Sequence, residues 1–217
     1  MELSRVSRAG LKDSMDPHTV VASDTVYEGF IWDVQRDEFR MGDEDSTLKR
    51  DFITHPGAVS IVALDEQDRV LLINQYRHPV GMRMWEIPAG LLDVDGEPPH
   101  TAAQRELAEE ADMTADDWHV LVDFHNSPGS SSEANRIFLA RGLHEVPEAD
   151  RHERDGEEAE IIVRFADLDD AVAAALSGQI NSPAAVLGIL AAHAARAQDW
   201  TSLRPVDSPW PGHPNFR

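Results

Sequence analysis

No cysteine occurs among the 217 residues, which removes disulfides, thiolate nucleophiles and zinc–thiolate sites at once. Long apolar runs are missing too. The most apolar stretch, "AAVLGILAAHAA" (184–195), is broken by His193 and is too short to cross a bilayer. The opening "MELSRVSRAGLKDSMD" lacks the apolar run of a secretory signal. The expectation is a soluble cytoplasmic protein without a membrane partner. Positive charge is also scarce: 19 Lys and Arg stand against 40 Asp and Glu, for a formal charge of −21. Such a surface repels nucleic acid phosphates, so no nucleic acid partner is expected. A phosphorylated small molecule would have to be met by a divalent cation or by a few placed arginines.

What is present has the length for one large domain, or one domain plus an appendage. From Val20 to Ile53, segments such as "TVYEGFIWDV" and "EFRM" read as strands, with the turn-like "GDEDS" (42–46) between them. Residues 1–56 are therefore expected to form a small antiparallel β appendage. "GAVSIVAL" (57–64) and "VLLINQY" (70–76), separated by "DEQDR", suggest a core hairpin. Residues 97–111 read as a helix, with Pro98 and Pro99 in a first turn that tolerates them.

"HVLVDF" and "ANRIFLA" are expected strands on either side of the turn-rich "NSPGSSSE" (126–133). The charged, aperiodic segment 143–160 reads as a mobile loop. "IIVRF" is an expected strand, and "DLDDAVAAALSG" and "SPAAVLGILAAHAARA" are expected helices. Residues 57–198 would make the main domain, and the proline-rich 199–217 a loose tail. The mixture of strands, hairpins and helices predicts an α/β or α+β fold with a mixed sheet.

The segment "AAQRELAEEAD" (102–112) carries the chemistry. With successive residues about 100° apart, Glu106, Glu109 and Glu110 share one face, while Ala103, Leu107 and Ala111 form an edge that can pack on a sheet. Like charges at this spacing destabilise a bare helix. The macrodipole adds to the strain, because the acids lie toward the C-terminal end. Two readings are open for the helix alone: a solvated acidic face on an acidic protein, or a surface that holds hard divalent cations through carboxylate oxygens. The preceding "WEIPAGLLDVDGE" favours the second. An apolar strand runs into Gly90, read as a sharp turn that folds a loop back over the helix and presents carbonyl oxygens to an ion.

These residues resemble the Nudix box: Gly90, Glu97, Arg105, Glu106, Leu107, Glu109, Glu110 and Met113 match it in type. The pattern departs twice. Six residues rather than five separate Gly90 from Glu97, and Asp112 stands where the family has glycine. Asp112 would have to end the helix in a left-handed conformation. "RDFITHPGAV", "QYRHPVGMRMWEIPAGLL" and "NSPGSSSEANRIFLARGL" are similar to the ADP-ribose pyrophosphatase branch of that family, in which a proline stands about where Pro128 does.

The resemblance implies an α/β/α sandwich with a mixed sheet, and a homodimer that exchanges its N-terminal strands. It also implies hydrolysis of a nucleoside diphosphate sugar, ADP-ribose foremost, with Mg2+ or Mn2+. Glu106, Glu109, Glu110 and the Ala89 carbonyl would hold metal, and Arg105 would orient the glutamates. Glu97 would brace the loop. Glu158, with Glu157 beside it, would supply the general base. Arg77 would hold a phosphate, Arg50 would reach the nucleotide, and Glu133 would lie near the terminal ribose. Trp32 would stack on adenine or pack in a strand. The alternative is a Nudix-fold binding or regulatory protein without catalysis.

Overall fold

In the computed structural model, which describes residues 4–42, 46–156 and 158–216, the chain divides into the units Met1–Ile53 and Thr54–Arg217. The first unit is a three-stranded sheet in the order β1-β2-β3, from Val20–Tyr27 (β1), Asp33–Arg40 (β2) and Thr47–Thr54 (β3). β1 and β2 pair antiparallel, and Arg36 grips Asp51 through two bonds of 2.7 Å. Every residue of β1 is exposed, and Phe30, Ile31 and Trp32 in the following turn are exposed too. Trp32 therefore lies outside a strand and outside a core. Residues 43–45 of the expected "GDEDS" turn lie outside the described residues.

The second unit contains Ala58–Ala63 (β4), Arg69–Arg77 (β5), Met82–Glu86 (β6), Ala89–Leu91 (β7), Pro99–Ala111 (α1), Met113–His125 (β8), Ala134–Glu145 (β9), Ile162–Asp167 (β10), Leu168–Leu176 (α2), Pro183–Arg196 (α3) and Arg204–Pro205 (β11). One sheet runs β11-β8-β9-β4-β7 and the other β10-β5-β6. β4 and β9 are parallel, whereas β4–β7 and β8–β9 are antiparallel, so the larger sheet is mixed.

Strand periodicity distributes the core into two layers. Val59, Ile61 and Ala63 of β4, with Phe138 and Ala140 of β9, pack with Ala102, Ala103, Leu107 and Ala111 of α1. Their neighbours Val62, Ile137 and Leu139 pack with Leu168 and Ala171 of α2 and Ala185, Ile189 and Ala192 of α3. Both faces of β4 are thus covered, and all six of its residues are buried. Burial of each large aliphatic side chain here contributes about 1.5–3 kcal/mol. α3 approaches so closely that a Cβ at Gly188 would lie 2.8 Å from Val62. This is the α/β/α sandwich with a mixed sheet, plus a small N-terminal β appendage.

Four expectations need correction. β4 and β5 do not form a hairpin ladder; the isolated Leu64–Val70 bridge joins them just past the end of β4, and the two strands enter different sheets. Continuous apolar runs show that a strand is buried, not which strand lies beside it. α1 begins at Pro99, with Pro98 extended before it, because a residue preceding proline is disfavoured in the helical region. Residues 143–145 continue β9, and Arg151 and Arg154 then tie the charged segment down, with Arg151 donating to the Val146 carbonyl at 3.0 Å and Arg154 donating to the Glu109 carbonyl at 2.7 Å.

The C-terminal segment is not loose. β11 pairs with β8, and Trp210 is only 2% exposed. The indole lies under the Arg136 guanidinium, 4.8 Å from its ring centre. Arg136 also donates to the carbonyls of Ser208 and Pro209 and to Asp123. The Asn215 amide donates to Nδ1 of buried His213, whose Nε2 bonds the Pro56 carbonyl at 2.8 Å. Proline removes backbone donors, but these rings supply the anchorage. Trp210→Ala is expected to cost about 3 kcal/mol, lowering Tm by about 6–12 °C in thermal unfolding followed by circular dichroism; a shift below about 3 °C would contradict this anchoring.

Candidate active site

Leu107 sits fully in the core, which fixes the rotation of α1 and turns its acidic face toward β7. Glu110 is drawn inward as well, to 5% exposure, and its Oε2 accepts the Ala89 amide at 2.8 Å. Arg105 stands among the acids. It grips Glu97 through two bonds of 3.2 and 3.0 Å and reaches Glu106 at 2.6 Å and Glu109 at 3.0 Å. Glu97, outside the helix, thereby braces the loop against it.

Burial pushes the Glu110 carboxyl up to about 8, with Glu106 and Glu158 adding repulsion and the Ala89 amide and Arg77 opposing it. Glu106 is also raised, chiefly by burial, against the pull of Arg105; Glu109 and Glu158 act in the raising direction. Arg105 is held still more firmly protonated, first by Glu97. Glu158 is thus brought within electrostatic reach of the helix acids, on a short 3-10 turn at Glu158–Glu160. Glu157 lies outside the described residues.

Gly90 serves differently from expectation. It lies in β7, paired with Val59, and positive φ occurs instead at Gly96, where the Glu97 amide donates to the Val94 carbonyl at 3.1 Å. A Cβ on Gly90 would stand 2.0 Å from Cδ of Glu106. The glycine is required by close approach of the carboxylate, not by a sharp bend. Asp112 does take the left-handed conformation, at φ 53 and ψ 35, and its amide donates to the Ala108 carbonyl.

Arg77 is held by Glu86 through bonds of 3.0 and 2.8 Å. Glu86 is buried and was not singled out from sequence; its signal was a lone acid in the apolar run Met84–Ile87. On β5, two residues before Arg77, Gln75 buries an Oε1 without a hydrogen-bond partner among the described residues. Arg83 of β6 pairs with Glu160, which neither composition nor spacing pointed to. Arg50 lies exposed on β3, in the N-terminal unit, donating to the Lys49 carbonyl. Glu133 accepts from Asn126 at 3.0 Å and stands beside His55, whose imidazole burial lowers and Glu133 raises.

Residues 54–184 match the NUDIX domain family. This chain belongs to the Nudix family. It is 41% identical to an ADP-ribose pyrophosphatase of Mycobacterium tuberculosis (strain ATCC 25618 / H37Rv) over 89% of this chain and 91% of that protein. A methanol dehydrogenase activator of Bacillus methanolicus is 32% identical over 57% of this chain and 65% of its own length. A solved structure described as an ADP compounds hydrolase superposes with a TM-score of 0.66 over 86% of this chain and 98% of its own, at 22% identity, and shares the fold. The chain is a Nudix hydrolase.

Nudix hydrolases generally use divalent metals, and the donors here suit a hard cation. They are carboxylate oxygens, crowded in partial burial with Arg105 as their direct cationic partner on the helix. Among the described residues no three His, Asp or Glu side chains are gathered at ligating distance. Glu106 and Glu109 turn one oxygen onto Arg105 and Glu110 one onto the Ala89 amide, which leaves each carboxylate a second oxygen that these bonds do not use.

Gly90→Ala is expected to displace the Glu106 carboxylate and reduce turnover about 100-fold, with Tm changed by less than about 4 °C, read by kinetics and thermal unfolding. Near-normal turnover would contradict the close-approach account. The pH response follows from Glu110. Its carboxyl binds a proton in the folded chain up to about 8, against the ordinary 4.5. Its contribution to metal-free stability is therefore fully present below about 4.5 and lost as pH rises through about 8. Urea midpoints are expected to fall between pH 6 and pH 8.5, and to fall less in Glu110→Gln; an equal slope in both proteins would remove Glu110 as the cause.

Proposed function

We propose that this Nudix hydrolase cleaves the pyrophosphate of a nucleoside diphosphate sugar, ADP-ribose foremost, to AMP and ribose 5-phosphate. The observation that carries the reading is the partly buried acidic face of α1 under β7, made of Glu106, Glu109 and the buried Glu110 with Arg105 among them and Glu158 within electrostatic reach. The relative from Mycobacterium tuberculosis, named as an ADP-ribose pyrophosphatase and aligned over most of both chains, supports the substrate.

Glu106, Glu109, Glu110 and the Ala89 carbonyl are the groups for Mg2+ or Mn2+. When bound, the cation neutralises charge on phosphate oxygens and favours ionisation of water. Arg105 holds Glu106 and Glu109 in register until they are needed as ligands. Glu158 accepts the proton of the attacking water, because helix carboxylates committed to metal are poor bases. As the water oxygen bonds to phosphorus, the bridging oxygen leaves with its electron pair, and AMP and ribose 5-phosphate separate.

Arg77, oriented by Glu86, is the phosphate contact. Arg50 is assigned to the nucleotide and Glu133 to the terminal ribose region. A homodimer fits the N-terminal unit, which exposes Val20, Val26 and Tyr27 of β1 and Phe30 and Ile31 of the following turn and has no buried residue among those described. The −21 charge agrees with a small-molecule substrate rather than nucleic acid, among the described residues no helix is long and apolar enough to cross a membrane, and the cytoplasm is the proposed location.

Purified protein given ADP-ribose and Mg2+ is expected to release AMP and ribose 5-phosphate, resolved by chromatography. Glu158→Gln should lower kcat by about 10²–10⁴, and Glu110→Gln should abolish the response to metal. Absence of metal-dependent turnover on ADP-ribose and on other nucleoside diphosphate sugars would overturn the enzymatic reading of this site in favour of a binding role.

A further inference from the structure

The Nudix-box departure at Asp112 has a partner across the chain. Arg154 donates from Nη2 to Asp112 Oδ2 at 2.6 Å and from Nε to the Glu109 carbonyl at 2.7 Å. Both ends of that bridge are largely buried, with side-chain exposures of 18% and 22%. The same helix end receives a second tie, because the Asp112 carbonyl accepts the Val146 amide at 2.9 Å. Segment 146–154 is therefore stapled to the C-terminus of α1 at both of its ends. A guanidinium also suits the negative end of the helix dipole, where α1 has no basic residue of its own.

Immediately beyond Arg154, the Asp155 carbonyl accepts the amides of Glu158 at 3.0 Å and Ala159 at 3.3 Å. The Ile161 amide donates back to the Glu158 carbonyl at 3.0 Å, and β10 begins at Ile162, opposite Asn74 of β5. Glu158 is thus bracketed by the Arg154 bridge on one side and the β5–β10 ladder on the other. The bracketed stretch is eight residues long from 154 to 161, and it carries the acid that Glu106 and Glu110 feel.

We propose that Asp112 and Arg154 form a latch that positions Glu158 over the acidic face of α1, so that the residue found in place of the box glycine is a positioning residue for the hydrolytic step. The proposal rests on Glu158 as the general base. It accounts for the left-handed aspartate: glycine would take the φ of 53 with less strain, but it has no side chain to receive Arg154, whereas aspartate offers both an acceptor and a charge. Neither residue touches substrate; both act through the loop that bears Glu158.

The test compares Arg154→Gln, Asp112→Gly, the double variant and Glu158→Gln, with ADP-ribose and Mg2+ as probes. Each latch variant is expected to lower kcat about 10-fold, a share of the roughly 100-fold penalty for a catalytic group displaced by about 1 Å, with KM within about twofold. The double variant should lose no more than either single one, because the two residues act as a unit. Asp112→Gly should leave Tm within about 4 °C, since glycine relieves the left-handed strain while the bridge is lost; a purely structural role would lower Tm and kcat together.

Amide hydrogen exchange over 155–162 should quicken in Arg154→Gln, with or without metal and substrate. In a Glu158→Gln background, adding Arg154→Gln should cost nothing further in kcat. Unchanged kcat and exchange in Arg154→Gln would overturn the latch. An undiminished 10-fold penalty in the Glu158→Gln background would overturn its action through Glu158. Full turnover by Glu158→Gln itself would instead overturn the general-base assignment and, with it, the catalytic purpose of the latch.

Discussion

Placing carboxylates under a strand is the constraint on which the rest of this molecule depends. Glu110 is removed from water almost as completely as the core residues around it, and Glu106 follows it partway. A charge in that position is costly unless paired. The chain meets the cost with one amide, one guanidinium and, at Glu110, a retained proton. Each requirement places a demand on another element. The amide must come from Ala89, so β7 must lie on β4; the guanidinium must stay beside its acids, so Glu97 must hold it from outside the helix. Leu107 and the small alanines then set the helix close enough for the contacts to form.

Arginine placement follows the same logic around the rim. Arg77, Arg83, Arg105 and Arg154 each pair with an acid, on β5, β6, α1 and the segment after β9 respectively. In a chain so rich in carboxylates these cations serve less to neutralise the surface than to fix where individual side chains stand. The bidentate Arg77–Glu86 pair is the clearest instance, since a planar fork against a buried carboxylate leaves little rotational freedom.

The acidic face was legible because helical periodicity converts directly into positions on one cylinder, and the left-handed Asp112 because it stands where the box has glycine; that Glu97 braces the loop by gripping Arg105 was not legible, since Glu97 lies outside the helix. Gly90 was legible as a requirement but not as a reason: spacing shows that a glycine is needed, whereas the missing Cβ matters only once Glu106 is known to lie against it. Long-range partners were not legible. The buried run of β4 gave no hint that its neighbours would be β7 and β9 rather than β5, because apolar strands advertise burial and not pairing. Segment 143–160 and the last nineteen residues read as mobile because their anchors are single rings and guanidinium groups without a period.

The parallel pairing of β4 with β9 has a kinetic meaning. Ser60 and Asn135 meet across it although 75 residues separate them, and the loop so closed contains β7 and the whole of α1. Contacts this distant in sequence must meet a large closure entropy before they reward it, which slows the step that joins the two strands. The crowded carboxylates therefore encounter a low dielectric only when the central strands join. Before that joining the helix acids are hydrated, so the electrostatic strain of burying them belongs to the same long-range closure that unites β4 with β9.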